Sequence, residues 1–320
     1  MKLTPDKIFE LFINNNINKI TTYEHLIYFI EYSENENLRI DAIIILDKIG
    51  IYNNRMFTIL ENILISDSNN TLRNIAIKFI ERRFLNKALI PLKWCIKHES
   101  DFTCLITIIN ILKKINNPES KLLLFNEVKK IIKLKYLNKE KRIENKRFKK
   151  VIENLLRIKK FEDFTSEELS QILINFCTIK HLTKLFPNVF YELDSQNGLV
   201  KELDLSDFLE YEVRGIPWGW KNDITSLSEV IGLKYLHNLT KINLSNNQIT
   251  NIKSLVNLEN LTHLILTNNK ICELKNLEYI KKLTNLEYLD LRYNEIVKKI
   301  NPNRFNQTIR VLLSDYLVIK

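Results

Sequence analysis

The chain has 320 residues, 45% of them hydrophobic, and a formal net charge of +10; this is enough apolar material for two ordinary domains and excludes wholesale disorder. No uninterrupted apolar run approaches a membrane span, and the opening MKLTPDKIFELFINNN lacks the apolar stretch of a secretory signal. Cys95, Cys104, Cys177 and Cys272 are scattered with no C-x-x-C pair, which predicts core-filling thiols in a reducing, cytoplasmic setting.

Thr4-Pro5-Asp6 is a helix start: a capping hydroxyl, proline in the first turn, and an acid near the positive end of the dipole. Ile8, Leu11 and Phe12 come next at helical spacing. From residue 23 the apolar runs come in pairs. Residues 25–32 precede 37–50, 56–66 precede 71–84, and 88–99 precede 101–115. Leu38-Arg39-x-x-Ala42-x-x-x-Leu46 recurs 34 residues later as Leu72-Arg73-x-x-Ala76-x-x-x-Ile80; the third pair keeps the rhythm without the Arg and the Ala. Over residues 21–115 this resembles HEAT-type helical hairpins, and Pro91 in the first turns of a helix fits that family's habit. The resemblance implies an α-helical superhelix in which Arg39 and Arg73 bond the neighbouring repeat. Their other reading is an anion site.

Asn117-Pro118-Glu119 opens a further helix, with Leu124, Val128, Ile131 and Ile132 on one face. Within it begins the segment 129–160, which holds 14 Lys/Arg against Glu140, Glu144 and Glu153; the remainder has 34 basic and 35 acidic residues. The basic character of the chain therefore belongs to one segment. Residues 136–148 are too polar for a core and read as an exposed helix or a break. Phe148, Val151, Ile152, Leu155 and Leu156 restore an amphipathic stripe. Thr165-Ser166-Glu167-Glu168 is a capping box, with Leu169, Ile172, Leu173 and Phe176 continuing one face and Pro187 ending the helical region or lying just beyond it. A helix 166–178 and the segment 179–190 are expected to join the helical region to the C-terminal part of the chain and to roof its first repeat.

Three copies of L-x-x-L-x-L-x-x-N-x-L, with Ile at some positions, occupy that C-terminal part at offsets of 22 and 25 residues: 239–249, 261–271 and 286–296. Their first, fourth and sixth positions are apolar, and the alternation around Ile242, Leu264 and Leu289 is that of a short strand. The period and pattern resemble the short, 22-residue class of leucine-rich repeats. The resemblance implies a stacked array, with Asn247, Asn269 and Asn294 bonding neighbouring backbone as a ladder. A first strand is expected at 200–207, with Val200, Leu203 and Leu205 inward. Its repeat lacks the asparagine. From Leu205 to Ile224 is 19 residues, against five from Leu244 to Ile249, so about fourteen residues are inserted. The interruption, 206–223, carries Trp218 and Trp220. Residues 308–320 read as a last strand and cap, with Phe305 and Val311 to Leu313 over the core.

The expected architecture is an α-helical HEAT-like superhelix followed by a short leucine-rich repeat solenoid: helical repeats with the basic segment over 1–160, a junction over 161–198, and the second array over 199–320. In that fold the side chains between the inward positions stand on a concave sheet. Lys241, Asn243, His263, Ile265, Tyr288, Asp290, Arg292 and Tyr293 are the candidate contacts for a partner protein, because aromatic and Arg residues anchor binding surfaces. Trp218 and Trp220 lie in this insertion; one is expected to plug the first repeat and the other to be offered to a partner. Lys139, Lys141, Arg142, Lys146, Arg147, Lys149 and Lys150 read as a solvated helix face, or as a site for nucleic-acid phosphates or an anionic membrane surface. The five histidines show no metal-ligand spacing, and no phosphate-binding glycine loop or nucleophile motif is present. The reading is a non-enzymatic interaction scaffold or adaptor with no cofactor and no small-molecule substrate.

Overall fold

The computed structural model describes residues 3–133, 141–207, 222–301, 309–315 and 318–319, the backbone alone over 141–145 and 318–319. The chain divides into two compact units, Met1–Leu124 and Phe125–Lys320.

The first unit is helical: α1 (Pro5–Ile13), α2 (Lys19–Tyr32), α3 (Glu36–Ile49), α4 (Asn54–Ser66), α5 (Asn70–Arg83), α6 (Leu89–His98), α7 (Phe102–Ile115) and the start of α8 (Pro118–Lys133). Asparagine and aspartate set the helix starts. The side chains of Asn18, Asn35, Asn53, Asn69 and Asp101 each accept a bond from a first-turn N–H, satisfying donors that a helix leaves open. α2 packs on α3, α4 on α5 and α6 on α7 across short connections, so each pair is a helical hairpin. α3, α5 and α7 then pack in sequence as one layer, with α4 on α6 in the other. Ala42 and Ala76 are fully buried, which lets the layers approach closely.

Arg39 and Arg73 bond their neighbours. Arg39 Nε donates to the Ile30 carbonyl at 3.0 Å within its own hairpin, and Nη2 reaches Asp67 at the end of α4 at 2.6 Å. Arg73 repeats the arrangement one hairpin on. It donates to the carbonyls of Asp67 and Ser68 and forks onto Glu99 at the end of α6 through two bonds of 2.9 Å. Asn70–Asp101, Asn74–Thr107 and Glu81–Lys114 extend this polar clasp between α5 and α7.

In the second unit, α9 (Lys141–Ile158) and α10 (Ser166–Leu185) pack beside a seven-stranded sheet. α10 opens with the expected capping box between Thr165 and Glu168. It runs to Leu185 rather than stopping near 178, because Ile179 and Leu182 continue its buried face. The segment after it is partly a strand: β1 (Phe190–Leu193) pairs antiparallel with β2 (Val200–Asp204). Gly198 lies in the turn between them with φ +75°, and a Cβ there would meet Leu155 Cδ1 at 3.0 Å. A side chain there would carry the strain of a left-handed backbone and push Leu155 aside by a few tenths of an ångström. Asn175 of α10 accepts the Val200 N–H at 2.9 Å, fixing the hairpin to the helix.

From β2 the sheet is parallel through β3 (Lys241–Asn243), β4 (His263–Ile265), β5 (Tyr288–Asp290) and β6 (Arg310–Leu312); β7 (Val318–Ile319) closes it antiparallel. Leu203, Ile242, Leu264, Leu289 and Val311 form one inward column, and Leu205, Leu244, Leu266, Leu291 and Leu313 the next, none more than 3% exposed. Leu312 alternates to the opposite face, so Val311 and Leu313 alone of that stretch cover the core. Short helical turns return the chain behind the strands. The third is α11 (Lys275–Ile280), and its repeat has the 25-residue offset.

The asparagine ladder runs through the three copies. Asn269 Nδ2 donates to the Leu266 carbonyl of its own repeat and the Leu244 carbonyl of the preceding one, at 3.0 and 2.9 Å, while Oδ1 accepts the Ile249 N–H at 3.0 Å. Asn247 and Asn294 do the same in register. The first repeat, expected to lack this residue, has it as Asn222. Its Nδ2 donates to the Leu205 and Asn188 carbonyls at 2.9 and 2.7 Å, and its Oδ1 accepts the Asn188 N–H at 3.0 Å. Ser206 and Asp207 keep the register, with Asp207 N–H bonding the Ser245 carbonyl. The repeat therefore pauses after Asp207 and resumes at Asn222.

Candidate interaction surface

The register of β2 to β6 lays the outward side chains in rows. The first is Glu202, Lys241, His263, Tyr288 and Arg310; the second is Asp204, Asn243, Ile265, Asp290 and Leu312. The structure thus brings Lys241, Asn243, His263, Ile265 and Tyr288 onto one face, as expected, and adds Arg310 and Leu312, which the irregular last repeat had hidden.

The first row is a stack. The His263 and Tyr288 rings lie 5.6 Å apart at 22°, and the Arg310 guanidinium sits 6.0 Å from the Tyr288 ring. Thr262 Oγ1 meets His263 Nδ1 at 2.9 Å and holds the imidazole in place. Lys241 Nζ lies 3.4 Å from Glu202. Partial burial raises the Tyr288 hydroxyl above its ordinary pKa; the Asp290 charge adds to this and Arg292 and Arg310 oppose it. In the second row Asn243 Nδ2 donates to Asp204 at 3.0 Å, and Ile265 is half-buried.

Asp290 departs from its expected role. It is 2% exposed, its carboxylate forked by Arg292 Nε and Nη2 at 2.8–3.2 Å. It positions Arg292 and presents nothing to a partner. Arg292 Nη1 also bonds Asp315 at 2.9 Å, and the Tyr293 hydroxyl donates to the same carboxylate. These two bonds hold Asp315 below the ordinary carboxylate pKa, that of Tyr293 contributing most. Tyr293 itself stands at the rim, 62% exposed and at φ +58°, where the earlier copies place Asn246 and Asn268. The group fastens the turn after β6 to the last regular repeat.

An open groove of about 620 Å³ runs past the strand starts, lined by Asn238, Thr240, Asn260, Thr262, Asn285 and Glu287 among others. The Asn-Leu pairs at 238, 260 and 285 were its signal in the sequence. Two of the amides are committed, Asn260 to the His237 carbonyl and Asn285 to that of Glu259, each at 2.8 Å.

Of the basic set, Lys146, Arg147, Lys149 and Lys150 are described on α9. Arg147 bonds the Tyr191 carbonyl and lies 5.9 Å from that ring, and Lys149 is 3.9 Å from Glu153. Lys146 and Lys150 are exposed. Lys139 lies outside the described residues, as do Trp218, Trp220 and Phe305, and so do the side chains of Lys141 and Arg142. Among the described residues no group of three or more His, Cys, Asp and Glu is placed to hold a metal, and no helix is long and apolar enough to cross a membrane. Burial pushes the Cys95 and Cys104 thiols up to about 12, so both are held as packed thiols rather than thiolates.

Residues 237–279 match the family described as leucine rich repeats (2 copies). Repeats of this kind are generally protein-interaction modules. A search of curated proteins finds no match.

Proposed function

We propose that the chain is a non-enzymatic scaffold or adaptor, a HEAT-like helical solenoid followed by a leucine-rich repeat solenoid, that binds a partner protein across the outward face of β2 to β6 in a reducing cytoplasm. The observation that carries this reading is the row Lys241, His263, Tyr288 and Arg310, a pre-formed aromatic and cationic strip on consecutive strands. Rigid aromatic and Arg anchors lose little freedom on binding, which makes them effective contact residues. The layered hairpins with their Arg39 and Arg73 clasps support the helical part of the reading, and the buried free thiols support the compartment.

Binding of nucleic acid or an anionic membrane through 129–160 draws less support. Arg147 is spent on β1 and Lys149 lies beside Glu153, which leaves fewer charges for counterion release.

The test is photo-crosslinking in cells. A benzophenone side chain at His263 is compared with one at Lys253, which lies in a helical turn behind the strands, after nuclease treatment. A protein adduct specific to position 263, lost on Ile265→Ala with Tyr288→Ala, supports the reading. Equal adducts at both positions, or adducts insensitive to those changes, reject the face.

A further inference from the structure

We infer that the occupant of this face is an extended acidic segment of a partner, with two carboxylates four residues apart and an aromatic or apolar side chain midway. The inference rests on the proposed protein-binding role of the sheet and adds the chemistry of what is bound. From β3 to β6 the first row reads cation, imidazole, phenol, cation: Lys241, His263, Tyr288, Arg310. No acid interrupts it. Glu202 lies at one end, 3.4 Å from Lys241, whose ammonium keeps donors for a second oxygen. Arg310 is exposed, and its guanidinium lies over Tyr288. It is thereby pre-organised to take a carboxylate through two parallel bonds.

The spacing sets the motif. Neighbouring strands lie about 4.8 Å apart, so β3 and β6 are separated by about 14 Å. An extended chain rises about 3.4 Å per residue and turns alternate side chains to the same face. A segment laid across the strands therefore reaches Lys241 with one residue and Arg310 with the fourth after it, and the residue midway falls over the His263–Tyr288 pair and beside Ile265. A single-stranded nucleic acid would use the same rings and cations, but its phosphates continue past the row. There they would meet Glu202 and Asp204 on β2 and Asp315 beside Arg292. A peptide with only two charges avoids that repulsion.

The experiment uses the full chain and a capped, fluorophore-labelled peptide, Ser-Glu-Ala-Phe-Ala-Glu-Ser, followed by anisotropy at low ionic strength. The expected result is saturable binding that weakens about tenfold or more in Lys241→Glu with Arg310→Glu. The same variant should bind the analogue in which both glutamates are lysine, a swap that a merely destabilised protein would not show. Three results would overturn the inference: no binding of the acidic peptide, equal binding of a peptide whose glutamates flank the phenylalanine directly, or tighter binding of oligothymidylate competing at the same face. If in-cell adducts form at position 263 while the peptide fails, the charge motif falls and the interaction face stands. If those adducts do not form, the face itself falls.

Discussion

Asn269 is 5% exposed, and both ends of its side chain are bonded, the amide to two carbonyls and the oxygen to one N–H. Truncation to alanine strands backbone groups in a place water does not reach, at about 1–3 kcal/mol for each effective loss. Asn222 is 7% exposed and bonded in the same manner, so Asn222→Ala, like Asn269→Ala, should cost about 2–3 kcal/mol in urea unfolding. A loss under about 0.5 kcal/mol, the range of ordinary surface changes, would show that Asn222 is a loop residue and no rung of the ladder. Tyr293 is the opposite case, a bulky residue held at φ +58°. The left-handed backbone costs a side-chain-bearing residue about 1–2 kcal/mol, and asparagine tolerates it best after glycine. Tyr293→Asn should therefore raise stability by about 1 kcal/mol despite the lost bond to Asp315, which is solvent-exposed. An unchanged or lower unfolding midpoint would show that the hydroxyl bond outweighs the strain.

Among the elements, the paired helices depend on side chains that reach from one hairpin to the next. Arg73 and Glu99 are 15% and 5% exposed at their side chains, so removing the guanidinium leaves a poorly hydrated carboxylate and two uncovered carbonyls. Arg73→Ala should cost about 3 kcal/mol, more than Arg39→Ala at its more open pair. The same clasp sets an acid limit. Burial alone would raise the Glu99 carboxyl, but Arg73 and the N–H groups of Asp101 and Ser100 outweigh it and hold the pKa below its usual value. A carboxylate lowered in the folded state stabilises above its unfolded pKa of about 4.3 and stops doing so as pH falls through the folded value. Urea midpoints of the helical unit should thus hold from pH 7 to about 5 and drop below about 4, with a smaller drop in Glu99→Gln. An equal drop in that variant would assign the acid sensitivity to other carboxylates. Helix pairs and the parallel strands were legible in the sequence because apolar spacing and capping residues act locally; β1 was not. The end of α10 was not, since the polar residues between Ile179 and Leu182 masked a buried face. Asn222 was hidden by the residues inserted before it, and Asp290 by the rule that alternate strand positions face outward, which takes no account of an arginine lying over them.

For the whole chain, the two units hold together by different means. In Met1–Leu124 each hairpin contacts its neighbours through a packed layer and a polar clasp; in Phe125–Lys320 the strands share columns of leucine and a buried amide ladder. Repeats stabilise chiefly through their nearest neighbours, so a lesion in one array should spread within that array and weaken across the division at Leu124. Chains built of more than one such unit commonly depart from a single all-or-none transition. Urea unfolding followed by circular dichroism and by hydrogen exchange at individual amides should accordingly show two transitions. Arg73→Ala should move the one that reports on α2 to α7, and Asn269→Ala the one that reports on β3 to β5, each leaving the other within about 0.5 kcal/mol, as distant independent sites do. If both substitutions shift one common transition by similar amounts, the helical array and the sheet unfold as one cooperative body.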